Sequence, residues 1–184
     1  MILRTFVAVV PPDDVLEAMT VFVSKLRPLA PYRWVSRAQL HLTLRFLGEA
    51  GQERVEAMAD ALEKLDAGES FELRLDRTGA FPPGAAKPRV IWLGCGAGGE
   101  KLTALAVKVE QAAINSGFAP EAKKFTPHLT LARARGEEPM PPALASALKS
   151  TPSFAWNVSR FHLVKSDLTS GKPVYSLLRE YKLS

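Results

Sequence analysis

Hydrophobic residues recur every three or four positions in four stretches of the chain, a spacing that places them on one face of an amphipathic helix. The first stretch follows Pro11-Pro-Asp-Asp14, whose aspartates can cap a helix, and it ends at Pro28. The second runs from Gln52 to Leu65, the third from Glu100 to Asn115, and a shorter fourth from Pro142 to Lys149. The pattern therefore predicts four helices.

Other stretches alternate between apolar and polar residues, or are rich in β-branched and aromatic residues, as strands are. The opening segment, Met1 to Val10, is interrupted by Arg4 and is too short to span a membrane, so we interpret it as a strand. The other predicted strands are Tyr32 to Val35, Leu40 to Leu47, Phe71 to Arg77, Arg89 to Leu93, His128 to Leu131, Ser153 to Val164 and Val174 to Leu183. Loops are expected at Phe81 to Pro88 and Gly136 to Pro142. Interspersed strands and helices favour an α+β fold or mixed sheets over a regular parallel α/β fold.

One tetrapeptide is repeated: His41-Leu-Thr-Leu44 recurs letter for letter as His128-Leu-Thr-Leu131, 87 positions later. This spacing is close to half of the 184 residues, so the simplest architecture is two similar lobes related by an approximate two-fold axis. In a strand, side chains alternate between faces. Each copy therefore places its histidine and threonine on one face and its two leucines on the other.

The repeated residues suggest chemistry at phosphorus. Imidazole changes its charge near neutral pH, so His41 and His128 can serve together as one acid and one base. The hydroxyls of Thr43 and Thr130 can donate hydrogen bonds to a phosphoryl oxygen. Such a set suits in-line displacement at phosphorus without a metal. The third histidine, His162, has no threonine two positions later, and we interpret it as structural.

Composition agrees with an anionic partner. Lysine and arginine number 24 against 19 acidic residues, which gives a net charge of +5 and favours a partner such as nucleic acid. Cys95 is the only cysteine, so an intrachain disulfide is excluded and a reducing, cytoplasmic location is expected. We interpret this thiol as structural rather than catalytic.

A glycine-rich segment matches the motif of another function class. Gly94-Cys-Gly-Ala-Gly-Gly99 matches the dinucleotide-binding pattern G-x-G-x-x-G between a predicted strand and a predicted helix. The repeated β-α units are missing, however, and the only acidic residue near the expected position is Glu121, so we interpret the motif as a glycine-rich turn. Motifs of zinc proteases and serine hydrolases are absent from the sequence. A non-catalytic RNA-binding module remains an alternative, with Trp34, Phe46 and Phe81 as candidates for stacking on bases or for the core.

The segments around the repeat resemble a known family. His41-Leu-Thr-Leu-Arg-Phe-Leu-Gly48 and Phe125-Thr-Pro-His-Leu-Thr-Leu-Ala-Arg133 are similar to the two signature strands of the LigT-like 2H phosphoesterases. These are the bacterial and archaeal RNA 2′,3′-cyclic phosphodiesterases, formerly called 2′-5′ RNA ligases. The resemblance extends from the opening strand through Arg33-Trp34-Val35 to Tyr175-Ser-Leu-Leu178. It implies one domain over residues 1–184, with two pseudo-two-fold-related lobes of antiparallel sheet and helices around a central cleft.

The resemblance also implies an activity. The family hydrolyses a 2′,3′-cyclic phosphate to a 2′-phosphate without metal or cofactor, and it joins RNA through 2′-5′ linkages as a reverse activity. His41 would be the general acid and His128 the general base, although the symmetry of the repeat leaves the two roles exchangeable. The implied partners are RNAs with 2′,3′-cyclic phosphate ends, such as tRNA fragments or short oligonucleotides. The protein is expected to be a monomer that does not associate with membranes.

In this family an arginine of the second motif binds the phosphate, and the matching position is Arg133. Strict alternation from His128 gives Arg133 the wrong parity, so the strand must end or bulge after Leu131 for the side chain to face the histidines. Arg45 has the correct parity from His41 and is the second candidate.

Overall fold

The computed structural model describes residues 1–169 and 171–184, and within them nine strands form one sheet. The strands are β1 (Ile2–Val9), β2 (Arg33–Trp34), β3 (Leu42–Gly51), β4 (Phe71–Phe81), β5 (Val90–Ala97), β6 (His128–Arg133), β7 (Phe154–Val158), β8 (Arg160–Asp167) and β9 (Val174–Lys182). The helices are α1 (Asp13–Leu26), α2 (Gln52–Glu63), α3 (Gly99–Asn115) and α4 (Pro142–Leu148), with 3-10 turns at Arg27–Leu29 and Arg37–Gln39. All four predicted helices are confirmed. None of the helices in the described ranges combines the length and the apolar character that crossing a membrane would require.

The sheet is antiparallel throughout, in the order β7-β4-β5-β6-β3-β1-β8-β9, with β2 added beside β6. β3 and β6, the two strands that carry the repeat, lie at its centre. The unit β1-α1-β3 in the first half of the chain corresponds to β5-α3-β6 in the second. The next long strand of each half pairs with a strand of the other half: β4 pairs with β5, and β8 pairs with β1. This is the expected α+β arrangement, with the two halves of the sheet joined through β3 and β6.

One predicted strand is wrong. Ser153 to Val164 was expected to be continuous, but the structure divides it into β7 and β8, which lie on opposite halves of the sheet. The break is at Ser159, whose carbonyl accepts a hydrogen bond from the backbone N–H of Leu183 at 2.9 Å. Two strands of apolar alternation that meet end to end look like one strand in the sequence, since periodicity does not show a change of pairing partner.

The helices lie on one face of the sheet and close the main core there. The apolar faces of all four helices pack in one cluster with the leucines of both repeats, Leu42, Leu44, Leu129 and Leu131, each at most 5% exposed. On the opposite face, the described residues form a small separate cluster of Phe6, Ala8 and Val164, against which Tyr175 packs. This second face is therefore left open for the polar residues of the repeats.

Candidate active site

The register between β3 and β6 brings the two repeats together. The strands pair only at Leu42 and Leu129, which are both fully buried in the core on the helix side. The residues that flank this pair in each strand must point to the opposite face, since side chains alternate. There they line one cavity of about 1390 Å³, termed the cleft, which lies between β3 and β6 and is bordered by residues of β1, β2 and β9. The four repeat residues that line the cleft are His41, Thr43, His128 and Thr130.

The antiparallel register is crossed, which means that the histidine of each motif lies opposite the threonine of the other motif. Counting outward from the central pair, His41 lies across from Thr130, and His128 lies across from Thr43. Each imidazole is therefore next to the hydroxyl of the other strand as well as that of its own strand. The predicted meeting of two histidines and two threonines on one face is what the structure shows.

Both imidazoles are oriented in the same way. The Nδ1 atom of His41 lies 2.7 Å from the carbonyl oxygen of Gln39, and the Nδ1 atom of His128 lies 2.7 Å from that of Thr126. A carbonyl oxygen only accepts hydrogen bonds, so each Nδ1 carries the hydrogen and donates it. The Nε2 atom of each ring is left available for proton transfer.

Aromatic side chains border each histidine. The ring of His41 lies 4.8 Å from Phe6 and meets Tyr175 edge-on at 5.3 Å, measured between centroids. Its Nε2 accepts a hydrogen bond from the Thr43 hydroxyl at 3.0 Å. The sequence did not single out Phe6 as a neighbour of this site. Two of these contacts come from β1 and β9, strands whose place beside β3 becomes known only with the pairing order.

The ring of His128 meets Phe81 edge-on at 5.0 Å and lies 6.2 Å from Trp92. Trp92 in turn packs closely on the backbone of β4 and β5, since a Cβ atom on Gly79 would lie 2.1 Å from the indole. Phe81 is one of the aromatic candidates expected from the sequence, whereas Trp92 is not. The alternation of β5 could have placed Trp92 on the cleft face only if its pairing with Thr130 had been known.

Burial dominates the electrostatics of the histidines. It lowers the pKa of His41 from 6.5 to about 4; the hydrogen bond to Gln39 opposes the shift, and the charges of His128 and Arg133 add to it. Burial also lowers the pKa of His128, with Arg133 acting in the same direction. Both imidazoles are therefore neutral at pH 7 when the cleft holds no anion. An anion in the cleft would favour their protonated forms.

A β-bulge in β6 turns Arg133 toward the histidines. Thr130 and Ala132 pair with consecutive residues of β5, which leaves Leu131 as the extra residue. Leu131 and Ala132 are both buried, and Arg133 then returns to the cleft face, where its charge acts on both histidines. This is the bulge that Arg133 required in order to face the histidines.

The same bulge occurs at the matching position of β3. Thr43 and Arg45 pair with consecutive residues of β1, so Leu44 is the extra residue. Phe46 consequently takes the position in the cleft that Arg133 has in the other copy. The structure places Arg45 outside the cleft, because alternation counted from His41 does not continue past Leu44.

Arg45 instead joins the helix side of the sheet. Its side chain is 9% exposed and forms ion pairs with Glu110 of α3 and, at 3.3 Å, with Glu121. It also donates to the carbonyl oxygens of Ala119 at 2.5 Å and Phe46 at 2.6 Å. It thus ties β3 to the segment that leads from α3 into the second motif.

The other sequence candidates lie elsewhere or have packing roles. His162 lies outside the cleft, and its Nε2 is 3.3 Å from a carboxylate oxygen of Glu180. Cys95 is half-buried in β5, and burial raises the pKa of its thiol to about 11.

The glycine motif ends β5 and begins α3 in an antiparallel sheet, unlike the parallel unit of a dinucleotide site. At Gly98, with a φ of 75°, a Cβ atom would lie 2.2 Å from the carbonyl oxygen of Glu72, so packing accounts for this glycine.

The cleft is strongly positive. Among the described residues, no aspartate or glutamate lines it, whereas six cationic side chains do. These are Arg4, Arg27, Arg33, Arg133, Arg135 and Lys172. The aromatic candidates Trp34 and Phe46 also line it, and the guanidinium of Arg4 lies 4.6 Å above the Phe46 ring. Such a cavity suits an anionic ligand with planar groups.

Comparison with known proteins gives consistent similarities. The model of the 2′-5′ RNA ligase superfamily matches residues 11–169. An RNA 2′,3′-cyclic phosphodiesterase of Aeropyrum pernix is 35% identical over 83% of this chain and 86% of its own length. The enzyme of that name from Archaeoglobus fulgidus is 33% identical over 98% of this chain and 100% of its own. The structure of E. coli LigT complexed with 3′-AMP superposes with a TM-score of 0.80 at 28% identity, covering 100% of this chain and 99% of that chain.

Proposed function

The chain belongs to the 2′-5′ RNA ligase superfamily, and from this membership we propose that it is an RNA 2′,3′-cyclic phosphodiesterase that uses His41 and His128 as its acid and base. The observation that carries the proposal is the crossed register at Leu42 and Leu129, which gathers two imidazoles and two hydroxyls on one face. The positive cleft around them supports an RNA end as the substrate.

In the proposed reaction, the Nε2 atom of His128 takes a proton from water as the water oxygen attacks phosphorus. The bond from phosphorus to O3′ breaks, and O3′ receives a proton from the Nε2 atom of His41. The products are a 2′-phosphate and a free 3′-hydroxyl. Afterwards His128 is protonated and His41 is neutral, so exchange of protons with solvent restores the starting state. No step in this scheme requires a metal or a cofactor.

The hydroxyls of Thr43 and Thr130 and the guanidinium of Arg133 would bind the non-bridging oxygens of the phosphate. Positive charge and donors placed there stabilise the negative charge that develops as water adds. The bound phosphate would also raise the pKa of His41, which burial holds at about 4 in the free protein. The acid role of His41 depends on this increase, since an acid must be protonated before it reacts.

Ligation follows from the same geometry. If the 5′-hydroxyl of a second RNA attacks phosphorus in place of water, the same departure of O3′ leaves a 2′-5′ phosphodiester. We propose this joining as a reversible side activity.

Substrates would include tRNA fragments and short oligonucleotides that end in a cyclic phosphate. We further propose that the protein acts as a monomer in the cytoplasm, since one chain supplies both motifs and its single cysteine suits a reducing compartment.

The test uses an RNA oligonucleotide that ends in a 2′,3′-cyclic phosphate, incubated in EDTA. Wild type should hydrolyse it, and His41→Ala and His128→Ala should each lower kcat by roughly 10²- to 10⁴-fold. His162→Gln is the matched control, because it changes the remaining histidine outside the cleft and should retain activity. Turnover that survives both alanine substitutions would refute the two-histidine mechanism. Tight binding without turnover by wild type would favour the non-catalytic RNA-binding module.

A further inference from the structure

The cleft has more positive charge than the reacting phosphate requires. Arg33 of β2 and Arg133 of β6 are directly paired across the two strands, and both line the cleft. Side chains opposite each other in an antiparallel pair have Cβ atoms only about 4.5–5.5 Å apart, and like charges in that position are destabilising. Within the described ranges, no carboxylate lies within ion-pair distance of either arginine. An anion between them would remove the repulsion.

Most arginines outside the cleft have acidic partners. Those outside the cleft that form ion pairs with carboxylates within 4.0 Å include Arg37, Arg74, Arg89, Arg160 and Arg179. Within the described ranges, Arg33, Arg133 and Arg135 therefore differ from most arginines outside the cleft, because no carboxylate pairs with them. Its arginines are placed for a ligand that brings its own negative charge.

The backbone holds Arg33 firmly in this position. β3 leaves β6 after the single pair at the centre of the sheet, and the two-residue strand β2 occupies the place beside β6 that β3 has left. The N–H of Val35 donates to the carbonyl of Leu131 at 3.0 Å, and the indole of Trp34 donates to the carbonyl of Ala30 at 3.1 Å. The segment is thus anchored on both sides of Arg33.

Arg135 extends the row of charge away from the histidines. It follows Arg133 by two residues, and between them the N–H of Ala134 donates to the carbonyl of Arg89 at 2.9 Å. Arg33, Arg133 and Arg135 are all exposed within the cleft. Since Arg133 is proposed to bind the reacting phosphate, its two neighbours are available for a second anionic group.

We propose that Arg33 and Arg135 form a second phosphate subsite, which binds the phosphodiester that precedes the cyclic end. The inference rests on the proposed function. A cyclic mononucleotide has one phosphate and cannot fill both subsites, whereas an RNA strand carries a further charge at the next linkage. The preferred substrate is therefore an oligoribonucleotide, and its chain leaves the histidines along β2 and the end of β6.

The test compares two substrates that share the same terminal nucleoside: a nucleoside 2′,3′-cyclic phosphate and an oligoribonucleotide with a 2′,3′-cyclic end. Arg33→Gln and Arg135→Gln should each raise KM for the oligonucleotide roughly tenfold, since each removes a hydrogen bond between charged groups. Both kinetic constants for the mononucleotide should stay unchanged. Arg89→Gln is the matched control, because Arg89 lies outside the cleft and pairs with Glu137 at 3.8 Å.

Two further readouts separate binding from folding. The plot of log(kcat/KM) against log[salt] for the oligonucleotide should become shallower by about 0.7 for each arginine removed, as expected for a lost phosphate contact on a single strand. Without RNA, Arg33→Gln should unfold at the same temperature as wild type or above it, since the substitution relieves repulsion between like charges.

An equal loss on both substrates would overturn the subsite, because Arg33 and Arg135 would then act at the reacting phosphate. An unchanged KM for the oligonucleotide would overturn it as well. In either case wild-type turnover of the cyclic mononucleotide would leave the proposed function in place. If wild type hydrolyses neither substrate, the proposed function fails and the subsite fails with it.

Discussion

At the scale of single residues, the site depends on how each imidazole is held. Backbone carbonyls two residues earlier, at Gln39 and Thr126, accept from Nδ1 in both copies, so only Nε2 can exchange protons in the cleft. The two rings differ in their surroundings. Phe6 and Tyr175 border His41, whereas Phe81 and Trp92 border His128. The two imidazoles thus have the same orientation but different aromatic neighbours.

The burial of His41 should be measurable as pH-dependent stability. Its pKa is about 4 in the folded protein and near 6.5 in the unfolded chain, so the unfolded chain binds more protons between these values. The free energy of unfolding therefore decreases as pH falls from about 6.5 to about 4. His41→Gln removes this contribution, and the stability of wild type relative to the variant should fall by on the order of 3 kcal/mol from pH 7 to pH 4.

Urea denaturation of both proteins over that pH range measures the effect. His128 and His162, whose pKa values are also lowered by burial, are present in both proteins and largely cancel in the difference. A stability difference that does not vary with pH would contradict the burial of a neutral His41.

At the scale of secondary-structure elements, two matching bulges decide which side chains reach the cleft. Each bulge follows the threonine of its repeat, at Leu44 in β3 and at Leu131 in β6. Past the bulge, β3 turns Phe46 to the cleft and β6 turns Arg133 there. The same two irregularities thus give one side of the cleft an aromatic ring and the other a cation.

The bulges predict opposite effects for the same substitution at two arginines. Arg45→Met should lower the free energy of unfolding by about 3 kcal/mol, because it removes a buried guanidinium and leaves the partly buried carboxylate of Glu110 without its partner. Arg133→Met should leave stability nearly unchanged and lower kcat/KM by roughly 10²-fold, because it removes a donor to the phosphate. Chemical denaturation and steady-state kinetics on both variants give the comparison. A large loss of stability in Arg133→Met with full activity would show that the assignment is reversed.

These elements also show what the sequence could predict. The repeated tetrapeptide located both histidines and threonines, because identical strands in one sheet present identical faces. Alternation identified the buried leucines but favoured Arg45 over Arg133 as the arginine that faces the histidines. It could not show the bulges, since a bulge depends on pairing with the neighbouring strand and leaves no periodic signal in the sequence. The break at Ser159 was missed for the same reason. Neighbours from distant strands, such as Trp92, follow from strand order, which local pattern does not encode.

At the scale of the whole molecule, the two halves of the sheet meet at a single residue pair between β3 and β6 and then diverge. The helices close the core on one side, and the gap between the central strands opens the cleft on the other. The positive charge that lines this gap suits an anionic ligand such as the proposed RNA end, at the place where the two histidines meet.

In the proposed mechanism, water activated between the two histidines opens the cyclic phosphate by breaking its bond to O3′. Analysis of the product of a single turnover in ¹⁸O-labelled water tests this most directly, with an RNA oligonucleotide ending in a 2′,3′-cyclic phosphate as the substrate. We expect a terminal 2′-phosphate that contains one ¹⁸O atom. A terminal 3′-phosphate, or a 2′-phosphate without the label, would contradict it.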